Sequence, residues 1–179
     1  MLIDNLLRVI TNTLDEQNVP YMLSGSLALT LYAIPRATRD IDLIVELQDK
    51  HVNSFVQAIK GKFYFHEPTI KDEIRRQGMF NIIHLDSSYK IDFIIRSEQP
   101  FEVEKFQRRQ QIDFLGVKVW VITLEDLIIS KLNWIQQLES ELQKRDIQSL
   151  LANPAADRGY ITKWCKKLNL KTYNLIDHE

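Results

Sequence analysis

Cysteine is nearly absent from this sequence: among its 179 residues only Cys165 carries a thiol. No internal disulfide can form, and a reducing, cytoplasmic setting is expected. Cys165 has no activating motif around it and reads as structural. Excess charge is also lacking, since 23 basic and 24 acidic side chains leave a formal net charge of −1. That balance gives no global pull towards nucleic acid or an anionic membrane, and leaves open only a local basic patch. No uninterrupted apolar run approaches the ~20 residues of a spanning helix, so no membrane association is expected. The opening segment, MLIDNLLRVITNTLDEQ, has an early Asp4 and no small-residue cleavage site. It is therefore not expected to be a signal peptide. Internal repeats, low-complexity tracts and long linkers are missing too.

What is present suits a globular chain. Hydrophobic residues make up 45% and charged residues 26%, enough to bury a core without covalent staples. Leu2, Leu6, Val9, Ile10 and Leu14 recur at helical spacing and predict a helix over residues 2–18, ended by Pro20. Tyr21-Met22-Leu23 predicts a buried strand, Ser24-Gly25-Ser26 a turn, and residues 27–33 a short helix. Residues 40–47 (DIDLIVEL) predict a strand, and residues 49–62 an exposed helix. Residues 79–85 and 89–96 read as a hairpin around Asp86-Ser87-Ser88. A helix is expected over 100–111 and a strand over 117–122.

The pattern turns helical at Thr123, which caps a helix with Asp126 at the third following position. Further helices are expected over 140–152 and 157–168, with the last ten residues loosely held. The organisation is thus an α/β core over 1–122 followed by a helical region over 123–179.

Asp40-Ile41-Asp42 is the centre of the chemistry. On a strand, Asp40 and Asp42 share one face about 7 Å apart, while Ile41, Leu43 and Val45 take the other. Two adjacent carboxylates repel, and an apolar setting raises the pKa of one of them. A divalent cation removes that conflict, and hard oxygen ligands suit Mg²⁺ or Mn²⁺. A solvated strand start with two surface acids looks the same when taken alone. Gly25-Ser26 suits either a phosphate site at a helix N-terminus or an ordinary strand-to-helix turn. Arg36, Thr38 and Arg39 precede the acids. Their basic groups would neutralise a metal-bound triphosphate, or one would pair with an acid, and Arg36 is expected to face outward.

Asp92 lies in an apolar strand, where a carboxylate needs a partner or a metal. It is either a third metal ligand or the ion-pair partner of Lys90 on the same face. Lys131 falls inside an apolar helical stripe with Leu124, Leu127, Ile128, Leu132 and Ile135. Three readings stay open for it: an NTP phosphate, an ion pair with Asp146, or an ammonium snorkelling to solvent. His51, His66, His84 and His178 lack metal-ligand spacing. Trp120, Trp134 and Trp164 read as core or interface, and Arg108-Arg109 and Lys166-Lys167 as solvated faces.

The order strand, Gly-Ser, helix, loop, Asp-x-Asp strand, later strand Asp resembles the nucleotidyltransferase superfamily that includes DNA polymerase beta. Thirteen residues separate Ser26 from Asp40, towards the long end for that pattern. LSGSLALTLYAIPRATRDIDLIV is similar to the small bacterial branch holding the abortive-infection toxin nucleotidyltransferases, which often reads G-G-x-A-x-x-x-x-G-x-x-R-x-T-x-D-I-D-L. Gly25, Ala28, Arg36, Thr38, Asp40 and Asp42 fit it, while Ser26 and Ala33 depart from it. The resemblance covers residues 20–135. It implies a nucleotidyltransferase-like mixed β-sheet core flanked by helices, with a C-terminal helical bundle packed on it.

The same resemblance implies that Asp40, Asp42 and Asp92 hold two Mg²⁺ (or Mn²⁺) ions about 4 Å apart. Gly25, Ser26, Arg36, Arg39 and Lys131 would bind an NTP. The reaction implied is transfer of an NMP to a hydroxyl of RNA, a protein or a small molecule such as an aminoglycoside. A Lys on the helix after the core, followed by a basic-x-Asp segment on the next, is also common in related families; here these are Lys131 and Lys144-Arg145-Asp146. At this length template-directed DNA synthesis is not expected. One alternative is a non-catalytic nucleotide- or partner-binding module of the same fold, for example in a toxin–antitoxin pair or a homodimer. Another is an Asp-x-Asp glycosyltransferase using Mn²⁺, which would leave the Gly-Ser turn unexplained.

Overall fold

A computed structural model describes residues 2–176. In chain order the elements are α1 (Leu2–Glu16), β1 (Tyr21–Ser24), α2 (Gly25–Leu29), β2 (Asp40–Val45), α3 (Val52–Ile59), β3 (Phe63–Tyr64) and α4 (Glu67–Arg76). Then follow β4 (Met79–His84), β5 (Lys90–Ile95), α5 (Pro100–Gln107), β6 (Gln110–Phe114), β7 (Val117–Val121), α6 (Leu124–Ile135), α7 (Glu141–Leu151) and α8 (Arg158–Lys167). The strands form one mixed seven-stranded sheet in the order β3-β4-β5-β2-β1-β7-β6. β2 runs parallel to β5 and antiparallel to β1, which places the Asp-x-Asp strand at the centre of the sheet.

The centre of the sheet is apolar on one face because β2 and β5 alternate. Ile41, Leu43 and Val45 of β2 are fully buried, as are Ile91 and Phe93 of β5. Phe55 of α3 packs edge-on against Phe80 and Phe93, so α3 covers that face. The helix expected over 49–62 is therefore half-buried rather than exposed, with Val52, Phe55, Val56 and Ile59 all turned inward. α1 ends as Asn18 takes the left-handed conformation, which Asn tolerates better than most residues, two positions before Pro20.

Several elements differ from the sequence reading. The expected helix over 27–33 starts earlier, at Gly25, and closes after five residues. Residues 63–78, where no element was expected, form β3 and α4. α4 carries a polar outer face and buries Ile70, Glu73 and Ile74. The helix expected over 100–111 stops at Gln107, and residues 110–114 instead pair antiparallel with β7 as an edge strand. Alternation in QQIDF is masked because an edge strand buries little.

The C-terminal helices follow the sequence closely. Thr123 caps α6 by accepting a hydrogen bond from the Asp126 amide, and donates its own hydroxyl to the Asp126 carboxylate at 2.8 Å. The segment 170–176 is better anchored than expected: Tyr173 donates to the Ile135 carbonyl and Ile176 is buried. The remaining residues of the expected loose end, including His178, lie outside the described residues.

Candidate active site

The face of the sheet opposite Phe55 carries the acids. β2 and β5 pair in register, so Asp40 stands beside Lys90 and Asp42 beside Asp92. On the other side of β2, Ser24 stands beside Asp42. Parallel register keeps neighbours on one face, so Asp40, Asp42, Lys90 and Asp92 form a square of four charged groups. The expected adjacency of Asp92 to the Asp-x-Asp strand is observed. So is its competing interaction: Lys90 Nζ lies 2.8 Å from Asp92 Oδ2 and 3.7 Å from Asp40 Oδ1. The hydrogen bond to Asp92 raises the Lys90 pKa and holds its ammonium charged.

Asp42 points the other way, towards the turn after β1. Gly25 has φ +63°, and a Cβ there would sit 1.8 Å from Asp42 Oδ2. Glycine is thus required both by the left-handed backbone and by the carboxylate lying over it. The next amide, that of Ser26, hydrogen-bonds the Asp42 carboxylate. Burial raises the Asp42 pKa, and the negative charges of Asp92 and Asp40 raise it further, against the Ser26 hydrogen bond and the more distant Lys131. A carboxyl with a raised folded-state pKa stabilises the fold below its unfolded value and loses that contribution as pH rises through the folded one. At neutral pH the ionised Asp42 is therefore a net cost. Asp42→Asn, which still accepts from the Ser26 amide, is expected to raise stability at pH 7 by on the order of 1 kcal/mol in urea denaturation. Loss of stability would mean that the charge itself holds the site together.

A second cluster joins the loop before β2 to the C-terminal helices. Arg36 binds Asp146 of α7 through two nitrogens, each at 3.1 Å, and also donates to Ser26 Oγ. Lys131 of α6 donates to Asp146 Oδ2 at 2.9 Å and to Gln143 Oε1 at 2.8 Å. Burial opposes ionisation of Asp146, but its hydrogen bonds to Arg36 and Lys131 outweigh that and lower its pKa. Arg36, expected outside, therefore faces inward. Arg39 is exposed, and its side chain has no ion-pair partner among the described residues. Arg36 is the one corrected: the loop turns it under α7, a long-range contact that local sequence does not encode. Lys131 takes the Asp146 contact among its three readings.

Other singled-out residues have structural partners. Arg108 binds Asp126 and Glu125 and stacks on Tyr160, and Arg109 lies over Phe106 and Trp120. Neither is a solvated face, as the sequence reading expected. Trp164 packs on Phe101 in the core, whereas Trp134 is exposed. Cys165 is buried, which pushes its thiol up to about 11, far from a reactive thiolate.

Among the described residues, no group of three or more His, Cys, Asp or Glu side chains is arranged to hold a metal ion. The reason is visible: Lys90 stands on Asp40 and Asp92, and Asp42 is turned onto the Ser26 amide. The donor set nonetheless fits a hard cation. It consists of carboxylates on adjacent strands, and Asp92 Oδ1 is buried with no hydrogen-bond partner. A buried carboxylate oxygen left unpaired is costly, and a divalent cation is one way to satisfy it.

The mixed sheet, the Gly-Ser turn and the facing acids define a nucleotidyltransferase-like fold. The chain belongs to the family described as "Nucleotidyltransferase of unknown function (DUF6036)", whose profile matches residues 1–163. No curated protein sequence matches it. Among solved structures it is similar to the antibiotic-resistance factor ANT(2'')-Ia in solution, with a TM-score of 0.60 and 13% identity over 92% of each chain. A crystal structure of ANT(2'')-Ia with adenylyl-2''-tobramycin gives a TM-score of 0.55 and 12% identity, covering 94% of this chain and 98% of that one. An antigenic nucleotidyltransferase-like protein from Paracoccidioides brasiliensis gives 0.52 and 16%, over 91% and 87%. These likenesses establish the fold.

Proposed function

We propose that this protein transfers a nucleoside monophosphate from an NTP to a hydroxyl acceptor and releases pyrophosphate. The observation that carries this reading is the in-register placement of Asp42 beside Asp92, with Asp40 on the same face and Asp92 Oδ1 unpartnered, within a chain of a nucleotidyltransferase family. Asp40, Asp42 and Asp92 would hold Mg²⁺ or Mn²⁺. When bound, the cation neutralises charge on the triphosphate and lowers the pKa of the attacking hydroxyl. Asp42 Oδ2 lies over the Gly25-Ser26 backbone, so in this reading a phosphate approaches that backbone once Asp42 has turned onto the cation. Arg36 stands at the same turn through Ser26 Oγ, and Lys131 is joined to it by their shared partner Asp146; in this reading both would exchange contacts with Asp146 for phosphate oxygens, and exposed Arg39 would meet the part of the nucleotide nearest solvent. The division into a core over 1–122 and a helical region over 123–179 belongs to this reading.

The acceptor class stays at the level of a hydroxyl on RNA, a protein or a small molecule. No described helix is long and apolar enough to cross a membrane. A cytoplasmic bacterial setting, and a protein partner such as an antitoxin or a second copy of the chain, complete the proposal.

The test is calorimetric binding of each NTP with Mg²⁺ or Mn²⁺, followed by transfer of α-³²P label to RNA, protein and aminoglycoside acceptors. Metal-dependent NTP binding, abolished in Asp42→Asn, with label transfer to one acceptor supports the reading. NTP binding without transfer to any acceptor would leave a nucleotide-binding module of the same fold. Absence of NTP binding with either metal would remove both.

A further inference from the structure

We propose that Lys90 is an internal counter-ion of the acid cluster: it holds Asp40 and Asp92 while no cation is bound, gives them up when a divalent cation arrives, and so sets the metal affinity of the site. This rests on the metal reading above and goes beyond it, by assigning the residue with which the cation competes.

Three observations lead to it. Register puts Lys90 directly beside Asp40 and two residues from Asp92 on one face, so its ammonium reaches both carboxylates. Of the other nearby cations, Lys131 is bound to Asp146 and Gln143, Arg36 to Asp146 and Ser26, and Arg39 is exposed. Among the described residues Lys90 alone makes ion pairs with these acids. Finally, it satisfies the cluster only in part: Asp92 is 6% exposed, one oxygen accepts from Lys90, and the other is buried without a partner.

An ammonium is a point charge with three donors on a flexible four-carbon stem. It can neutralise one negative charge but cannot bridge three carboxylates, whereas a divalent cation accepts several oxygen ligands at once. The Lys90 side chain is 40% exposed, so the head can swing to solvent without unpacking β5. Cation binding then exchanges the two Lys90 ion pairs for several metal–oxygen bonds, and its affinity is reduced by the stability of those pairs.

The experiment measures Mn²⁺ binding to the full chain by electron paramagnetic resonance, without nucleotide, in the wild type, Lys90→Met and Lys90→Arg. Removal of the ammonium is expected to tighten Mn²⁺ binding by tenfold or more and to enlarge the rise in Tm on adding the metal. Lys90→Arg keeps a competing cation and is expected to bind no more tightly than the wild type. Equal or weaker Mn²⁺ binding by a folded Lys90→Met protein would overturn the role of Lys90 and leave the metal reading standing. No Mn²⁺ binding by any of the three would overturn both. If Lys90→Met fails to fold, lysine-ammonium NMR of the wild type answers the question. The Lys90 signal is expected to move to the position of a free lysine on adding Mg²⁺, and a signal unchanged at saturating Mg²⁺ would overturn the exchange.

Discussion

A single methyl group at position 25 is expected to destabilise the protein by about 2–5 kcal/mol. Gly25 has φ +63°, a conformation that disfavours any residue with a Cβ by roughly 1–2 kcal/mol. The second contribution is steric. The added carbon would lie 1.8 Å from Asp42 Oδ2 and 2.7 Å from Asp42 Cβ, so the carboxylate and its strand must both shift. Relieving such overpacking typically costs about 1–3 kcal/mol. Urea denaturation of Gly25→Ala measures the sum. The fraction that still folds is expected to lose the hydrogen bond from the Ser26 amide to Asp42, and with it the orientation of that acid. A variant as stable as the wild type would show that Asp42 does not lie over the turn. The sequence reading justified Gly25 by the approach of a phosphate. In the structure the same space is taken by the protein's own carboxylate, and the two are compatible if Asp42 turns away when nucleotide enters.

The other large effect is expected at Asp146. Replacing it with Leu removes the acceptor shared by Lys131 and Arg36 and leaves the Lys131 ammonium, 6% exposed, with Gln143 alone. An uncompensated buried charge costs about 3–5 kcal/mol. Arg36, with 28% of its side chain exposed, can reach solvent and adds little. The loss is smaller for Lys131→Met. Asp146 then keeps its two-nitrogen contact with Arg36, so the expected loss falls to about 1.5–3 kcal/mol, that of one charged hydrogen bond. The double variant is expected to recover much of the Asp146→Leu loss because no buried ammonium remains, and a double-mutant cycle isolates the coupling. Additive losses would mean that the three residues do not act as one cluster.

These two acids also bend the pH profile in opposite directions. The Asp146 pKa is lowered by its two cations, so its contribution is present above the unfolded value, near 3.8, and is lost as pH falls through the lower folded one. The Asp42 pKa is raised by burial and by its acidic neighbours, so acidification relieves it first. Stability of the wild type is therefore expected to rise slightly as pH falls towards the Asp42 pKa and to collapse only further into acid. In Asp42→Asn the initial rise is expected to vanish.

Periodicity made the strongly amphipathic elements legible: α1, the β4–β5 hairpin, and α6 to α8, whose caps at Thr123, Ser140 and Asp157 are local in sequence. It failed where burial is slight or split. Edge strand β6 buries one residue fully, and α4 hides three within an otherwise polar segment. The one-face placement of Asp40 and Asp42 follows from the two-residue period of a strand, and needs no tertiary information. The same period put Lys90 and Asp92 on one face.

Which of those groups meet was decided by the tertiary structure. Pairing of β2 with β5 is a contact between strands about fifty residues apart in sequence, and a shift of one residue would have sent Asp92 to the Phe55 side. Likewise, Arg36 and Asp146 are 110 residues apart, and only the docking of α7 against the loop makes Arg36 the inward arginine and Arg39 the exposed one. The chain's own sequence determined the chemistry available: three acids, a Gly-Ser turn and a few cations, set at fixed spacings by backbone geometry. Fold determined the pairing, because charge attraction acts through space and any of these cations could have neutralised any of these acids.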